Sequence, residues 1–323
     1  MPPSTPPNGA APTVVGVDVG GTKILALQLL GDNTYGAEVR AATPLGGEAV
    51  LDAVAAAVRQ LGPVTAVGVG VPGLVDHAGV LKFAPNLSHV VGLPVRDGLE
   101  ERLPGVVVTV DNDATCAGWA ERVLGAGQSC DDVLMVTLGT GIGGGLVGGG
   151  RLLLGANRFS GEIGHMVVDP QGPPCTCGNR GCWERYASGT GLGRLAREAA
   201  LAGLAPRIVE LAGGDPEAVR GEHVTAAATE GDAGALQVID QYARWVALGL
   251  GNLANIFDPA CIVIGGGLVA SAEVFLDRVR AAFTGFVEAG QYRPDIRIVL
   301  AELGGHAGAV GAALIARDTH ATR

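Results

Sequence analysis

The chain has 323 residues, a length that carries about two domains and a core large enough to hold without cross-links. A net charge of −10 argues against a nucleic-acid backbone or an anionic membrane as partner, and 48% hydrophobic residues exclude a disordered chain. No apolar run approaches the roughly 18–20 residues of a membrane-spanning helix, and the start Met1-Pro2-Pro3-Ser4 lacks the basic and apolar stretches of a signal peptide, so the expected location is the cytoplasm.

Residues 1–12 are proline-rich and read as a mobile tail. Val14 to Val19 is a β-branched run that ends in Gly20-Gly21, and a second apolar run, Ile24 to Leu30, follows; this is strand, glycine turn, strand. Glu48 to Leu61 has the spacing of a helix. Thr65 to Val71 reads as a strand running into Pro72-Gly73, and Val106 to Val110 as another that ends at Asp111-Asn112-Asp113 before a helix from Ala114 to Leu124. The second half repeats the pattern: Val133 to Leu138, the turn Gly139-Thr140-Gly141, then Gly143 to Val147. A long helix is expected over Ala233 to Phe257, then a strand, Cys261 to Ile264, that ends in Gly265-Gly266-Gly267. A last helix, about Ala307 to Arg317, is expected to pack back through Gly308 and Gly311. Two copies of a hairpin, helix and strand imply a duplicated α/β core with a cleft between lobes.

The glycine turns admit several chemistries. Gly139-x-Gly141-x-x-Gly144 matches a dinucleotide fingerprint, but that reading needs a helix to open at the turn, and Leu146-Val147-Gly148-Gly149-Gly150 is no helix start. No Walker A loop is present. An ordinary hairpin accounts for either turn alone. Two turns in equivalent places, one introduced by Asp18, fit better with backbone N–H groups and Thr hydroxyls offered to phosphates.

Three of the six cysteines fall within eight positions, Cys175, Cys177 and Cys182, and His165 lies ten residues before the first. Three thiolates and one imidazole make a closed tetrahedral set of the structural zinc type, with no position left for water. The plainer alternative is a loop of reduced thiols. Cys116, Cys130 and Cys261 sit among apolar residues and read as core. Among the carboxylates, Asp113 stands where an Asp often only caps a helix. Asn112 beside it can both donate to and accept from a ligand hydroxyl. Glu162 and Glu184 bracket the cysteines, so a folded zinc loop brings both to one place, as a buried polyhydroxylated ligand requires.

With these motifs assembled, the chain resembles the ROK family of sugar kinases and repressors, and within it the actinobacterial-type glucokinases. Asp18-Val19-Gly20-Gly21-Thr22-Lys23 is similar to the family's first phosphate motif, Glu162-Ile163-Gly164-His165 to its sugar motif, and Cys175-x-Cys177-Gly178-x-x-Gly181-Cys182-x-Glu184 to its zinc signature. The resemblance runs from about Val14 to Ala316. It implies the actin-like ATPase fold, a duplicated ribonuclease H-like α/β architecture. A smaller lobe would comprise residues 13–126 plus 308–323, and a larger one 127–307 with the zinc loop at 162–184.

By the same resemblance Asp113 is the catalytic base. Asn112, Asp113, Glu162, His165, Glu184 and Gly73 contact the sugar, with His165 also on zinc beside Cys175, Cys177 and Cys182. Asp18, Gly20, Gly21, Thr22 and Lys23, with Thr140, Gly141, Gly265, Gly266 and Gly267, form the ATP site, Asp18 near Mg²⁺. The implied reaction is ATP-dependent phosphorylation of glucose to glucose 6-phosphate, by a homodimer or homotetramer. Kinases for N-acetylmannosamine, N-acetylglucosamine or fructose share the motifs, and residues around Asn86-Leu87 do not separate them. Polyphosphate as donor would favour a more basic surface. A sugar-sensing regulator is the reading of another class. A DNA-binding repressor would need a helix-turn-helix ahead of Asp18, where only about 17 residues with five prolines stand.

Overall fold

The computed structural model describes residues 13–84, 87 and 90–321; the expected N-terminal tail and Asn86 lie outside them. In chain order the elements are β1 (Val14–Val19), β2 (Lys23–Leu29), β3 (Tyr35–Ala42), α1 (Gly47–Gln60), β4 (Ala66–Val71), β5 (Leu74–Val75), β6 (Val80–Phe83), β7 (Leu93–Pro94), α2 (Val95–Arg102), β8 (Val107–Asn112) and α3 (Asp113–Leu124). There follow β9 (Val133–Leu138), β10 (Ile142–Gly148), β11 (Arg151–Leu152), α4 (Glu184–Ala187), α5 (Gly189–Leu201), α6 (Pro206–Leu211), α7 (Gly221–Thr229), α8 (Ala233–Phe257), β12 (Cys261–Gly265), α9 (Ala272–Phe283), β13 (Arg297–Leu300) and α10 (Ala307–Ala321).

Two five-stranded sheets carry the fold, ordered β3-β2-β1-β4-β8 and β11-β10-β9-β12-β13. In each, the first three strands are antiparallel neighbours and the last two run parallel to the first, so one sheet topology occurs twice. The duplicated α/β reading holds at this level. The turn after β9 opens a strand, as the rejection of a dinucleotide fold requires. A short three-stranded sheet, β5-β6-β7, is an addition that the sequence did not mark.

The described residues form two compact units. The first runs through Ala120 and takes in Gly155–Phe159 and the chain from Gly305; the second holds Glu121–Leu154 and Ser160–Gly304. The sequence reading drew its boundaries at 126/127 and 307/308 and gave residues 155–159 to the larger lobe. The segment falls to the first unit because Arg158 pairs with Asp111 of β8, and the Ala156 carbonyl lies 2.8 Å from His77 Nε2.

In the first unit, α10 lies against β1 and β4 with backbone almost on backbone. A Cβ at Gly16 would come within 1.8 Å of the Ala309 carbonyl oxygen, and one at Gly311 within 1.7 Å of that of Cys116. Only glycine permits this approach, which explains the expected packing through α10. In the second unit, α8 has the bounds read from the sequence. Asp232 caps its start, accepting the Ala235 N–H at 2.8 Å, and Asp258 ends it in the left-handed conformation at φ 47°. Its apolar stripe, with that of α5, is buried in the unit's own core, so these helices supply core and leave large apolar side chains exposed only at their ends, at Leu201, Ile256 and Phe257. Among the described residues, no helix is long and apolar enough to cross a membrane.

Candidate active site and zinc centre

The first unit gathers acids where its strands end. Asp18 lies near the end of β1, Asp111 and Asn112 close β8, and Asp113 is the first residue of α3. The cap of α3 is Asn112, whose Oδ1 accepts the Thr115 N–H at 3.0 Å, not Asp113. Asp113 Oδ1 instead accepts the adjacent Ala114 N–H at 2.8 Å, which orients the carboxylate. Asn112 Nδ2 donates to the Gly73 carbonyl at 3.2 Å, so both expected sugar contacts, Asn112 and Gly73, are joined beside Asp113. Burial holds the Asp113 carboxyl above the usual carboxylate range. Burial, reinforced by the nearby charge of Asp113 and opposed by Lys23, pushes Asp18 up to about 7. The thiol of Cys116, expected as core, is buried among Asp111, Asp113 and Asp18.

Arg158 completes this cluster, and sequence reasoning missed it. Its guanidinium pairs with Asp111, which is 3% exposed, and its backbone takes φ 64°. Nothing in a sequence separation of 47 residues marks such a pair. The expected phosphate turn sits alongside β1: Gly20 N–H donates to the Lys23 carbonyl at 2.9 Å, and Gly21, Thr22 and Lys23 are exposed.

The second unit holds the cysteines and the remaining expected ligands. The ligand atoms of His165, Cys175, Cys177 and Cys182 all lie within 4.8 Å of one another. Cys175 Sγ is 3.6 Å from His165 Nδ1, and Cys177 Sγ is 3.6 Å from Cys182 Sγ. Zinc–sulfur bonds of about 2.3 Å give a tetrahedral sulfur–sulfur edge of roughly 3.8 Å, so the donor set and its spacing fit zinc. Glu184 Oε1 accepts from Cys175 Sγ at 3.1 Å, which adds a carboxylate to three thiols and strengthens the demand for a cation. The other imidazole nitrogen, Nε2, lies 3.7 Å from Glu162 Oε2, so His165 turns one face to the thiols and the other to an expected sugar ligand.

Local backbone explains the signature's spacing. Gly181 adopts φ +66°, and a Cβ there would fall 1.6 Å from the Asp169 carbonyl oxygen; the turn between Cys177 and Cys182 closes only with glycine. The loop is anchored by Tyr186, whose hydroxyl donates to Asp169 at 2.6 Å while its ring stacks on Trp245 with centroids 4.1 Å apart.

The glycine turn after β9 is tied to the start of α5, since Gly189 N–H donates to the Gly139 carbonyl at 2.7 Å and Thr190 Oγ1 to that of Thr140 at 2.8 Å. A cavity of about 460 Å³ opens there, lined by Gly139, Thr140, Thr190, Arg197, Arg220, Glu222, Thr225, Gly267, Leu268 and Ser271 among others. Of the expected ATP residues, Thr140 and Gly267 face this cavity. Gly141 lies against Glu184, where a Cβ would be 2.7 Å from Oε2, while Gly265 packs on Met135 and Gly266 on Leu138. Arg197 on α5, Glu222 on α7 and Arg220 just before α7 went unmarked because these elements reach the cavity only in the folded chain.

Comparison with known proteins gives this geometry its context. A glucokinase of Streptomyces coelicolor is 38% identical over 310 residues, spanning 94% of this chain and 97% of the relative. An N-acetylmannosamine kinase of Shigella flexneri is 34% identical over 317 residues, spanning 94% of this chain and 98% of the relative. A crystal structure of a ROK family glucokinase from Streptomyces griseus, in complex with glucose and AMPPNP, superposes with a TM-score of 0.83 at 41% identity, covering 95% of this chain and 99% of that one. The fold is therefore that of the ROK glucokinases, the two-lobed actin-like kinase fold expected from the sequence. The ROK family pattern matches residues 14–319, and the chain belongs to the ROK family.

Proposed function

We propose that the chain is an ATP-dependent glucokinase, which moves the γ-phosphoryl group of ATP to glucose and releases glucose 6-phosphate and ADP. The observation that carries this reading is Asp113, a carboxylate oriented by a backbone N–H and held by burial above its usual range, beside the paired Asn112 and Gly73. A raised carboxylate is the better base, because a sugar hydroxyl releases its proton late, as the new O–P bond forms.

In this reading Asn112, Gly73, Glu162, His165 and Glu184 position the sugar. His165 Nε2 is aimed at Glu162, which would orient that carboxylate toward a hydroxyl. Gly20 to Lys23, with Thr140 and the residues of Gly265–Gly267, receive the donor phosphates. The cavity beside Thr140, about 460 Å³, lies in the range of small-ligand pockets and has room for a nucleoside, and Arg197 and Arg220 bring positive charge to it beside Glu222.

Zinc would be held by His165, Cys175, Cys177 and Cys182, and when bound supplies a fixed cross-link for the loop that carries Glu162 and Glu184. Mg²⁺ would suit the carboxylates of Asp18 and its neighbour Asp113, and when bound it neutralises charge on the donor phosphates. On the family resemblance the same reading carries an assembly of two or four copies, working in the cytoplasm.

A second reading, an N-acetylhexosamine kinase, has support in the 34% identity to the Shigella flexneri enzyme. The test is ADP release with Mg-ATP, zinc content verified, across glucose, mannose, fructose, N-acetylglucosamine and N-acetylmannosamine. Turnover mainly on glucose is expected. Preference for an N-acetyl sugar moves the substrate, and silence across the panel removes the kinase.

A further inference from the structure

One buried carboxylate outside these sites joins the end of α3, the helix that Asp113 opens, to the segment that leads into α10, whose Gly308 packs on Asp18. Glu121 lies on α3, about two turns beyond Asp113, and is fully buried. Its Oε2 accepts the N–H groups of Ala126 at 3.0 Å and Glu302 at 3.1 Å, and its Oε1 accepts that of Leu303 at 2.8 Å. Gly125 makes room for it, since a Cβ at that position would stand 2.1 Å from Oε2.

The segment held in this way leads directly into α10. After Glu302 and Leu303 the chain passes through Gly304, at φ +53°, and Gly305 to the first turn of the helix. There Gly308 presses on the first of the site's acids: a Cβ would lie 2.8 Å from Asp18 Cγ. The other acid, Asp113, opens the helix on which Glu121 sits. Asp18 feels the charge of Asp113, so a shift of either helix start changes the field at Asp18.

We propose that Glu121 is a positioning residue for the phosphoryl-transfer step, one carboxylate that clamps the end of α3 to the lead-in of α10 and so fixes Asp113 and Asp18. It touches no substrate; it acts through three backbone N–H groups. The proposal rests on the kinase reading for its consequence in turnover, but not for the clamp itself.

Two variants of the full chain test it. Glu121→Gln replaces an acceptor oxygen with an amide that cannot accept, so at least one of the three bonds is lost. Gly125→Ala keeps the carboxylate and crowds it. Displacement of a reacting group by about 1 Å costs about 10²-fold in rate, so turnover in Glu121→Gln is expected to fall at least tenfold, with KM for glucose and ATP within about threefold. Gly125→Ala is expected to fall between it and the unaltered chain. In both, hydrogen exchange of the backbone amides across residues 302–310 is expected to quicken at least tenfold in the zinc-loaded protein.

Unchanged turnover, or unchanged exchange across 302–310, in both variants overturns the proposal. If Glu121→Gln does not fold, Gly125→Ala carries the same two measurements. If the unaltered chain phosphorylates no sugar, the kinase reading falls on that result alone. The exchange rates then decide for or against the clamp.

Discussion

The first hairpin turn of each sheet has three residues between its strands, and the two are used differently. In the first unit, Gly20, Gly21 and Thr22 lie between Asp18 and Lys23, and the closing pair is Val19 with Ile24. In the second, Gly139, Thr140 and Gly141 carry no charge, and the closing pair is Leu138 with Ile142, one residue tighter. The first turn follows Asp18, which feels the charges of Asp113 and Lys23; the second opens on a cavity and turns its last glycine to Glu184. A repeated sheet thus fixes where turns fall, while the side chains that later elements bring to them decide the chemistry. The first unit concentrates the acids Asp18, Asp111 and Asp113 beside Asn112. The second holds four side chains of metal-ligating type on one loop and a cavity.

This division can be broken, and the largest effect belongs to the first unit. Asp113→Asn is expected to lower turnover by about 10²–10⁴-fold in steady-state assays, since it deletes the proposed general base and keeps the shape. Near-normal turnover would remove the base assignment.

Next is the ion pair beneath it. Arg158→Met leaves the nearly buried Asp111 without its cation, and because Arg158 itself is 22% exposed the loss is expected near the low end for buried pairs, about 3 kcal/mol by denaturant unfolding. Removal of both charges, in Asp111→Asn with Arg158→Met, is expected to restore most of it. A double variant as unstable as the single would show that charge compensation is not the reason.

The second unit responds in another parameter. Cys177→Ser, or a chelator, is expected to release zinc and raise KM for glucose by about 10–100-fold, as loosened supporting groups do, with turnover changed less. A metal-free protein with an unchanged KM would detach the loop from sugar binding.

The smallest effect sharpens the contrast by pH. Asp18 is raised from 3.8 to about 7, so the folded chain holds this proton more tightly than the unfolded one. The stability it contributes is therefore full below about pH 4 and is lost as pH rises through about 7. In metal-free protein, Asp18→Asn is expected to flatten the fall in melting temperature across that window. An unchanged slope would place the titration elsewhere.

Much of this was legible in order along the chain. β1, β9 and α8 have the bounds that their β-branched runs and cap residues indicate, because local pattern and final packing agree there. β3 was not marked, since most of Tyr35–Ala42 is an exposed edge strand without an alternating apolar face. The place of Asp113 on α3 needed the fold, although the resemblance had already singled the residue out. An Asp before a helix looks like a cap, yet Asn112 takes the cap and moves Asp113 into the first turn. The set of His165 and three cysteines could be read because three of its four members are local. Asp111 with Arg158, and Glu121 with Glu302 and Leu303, could not, because pairs that distant leave no spacing in the sequence.

The most direct test of the division between the units is glucose binding to zinc-loaded Asp113→Asn, measured by titration calorimetry. If Asp113 supplies the chemistry and the sugar is held by the other contacts, chiefly those of the second unit, affinity stays within about tenfold of the unaltered chain while turnover is lost. If affinity falls in step with turnover, Asp113 holds the sugar as much as it takes its proton, and the proposed division of labour is wrong.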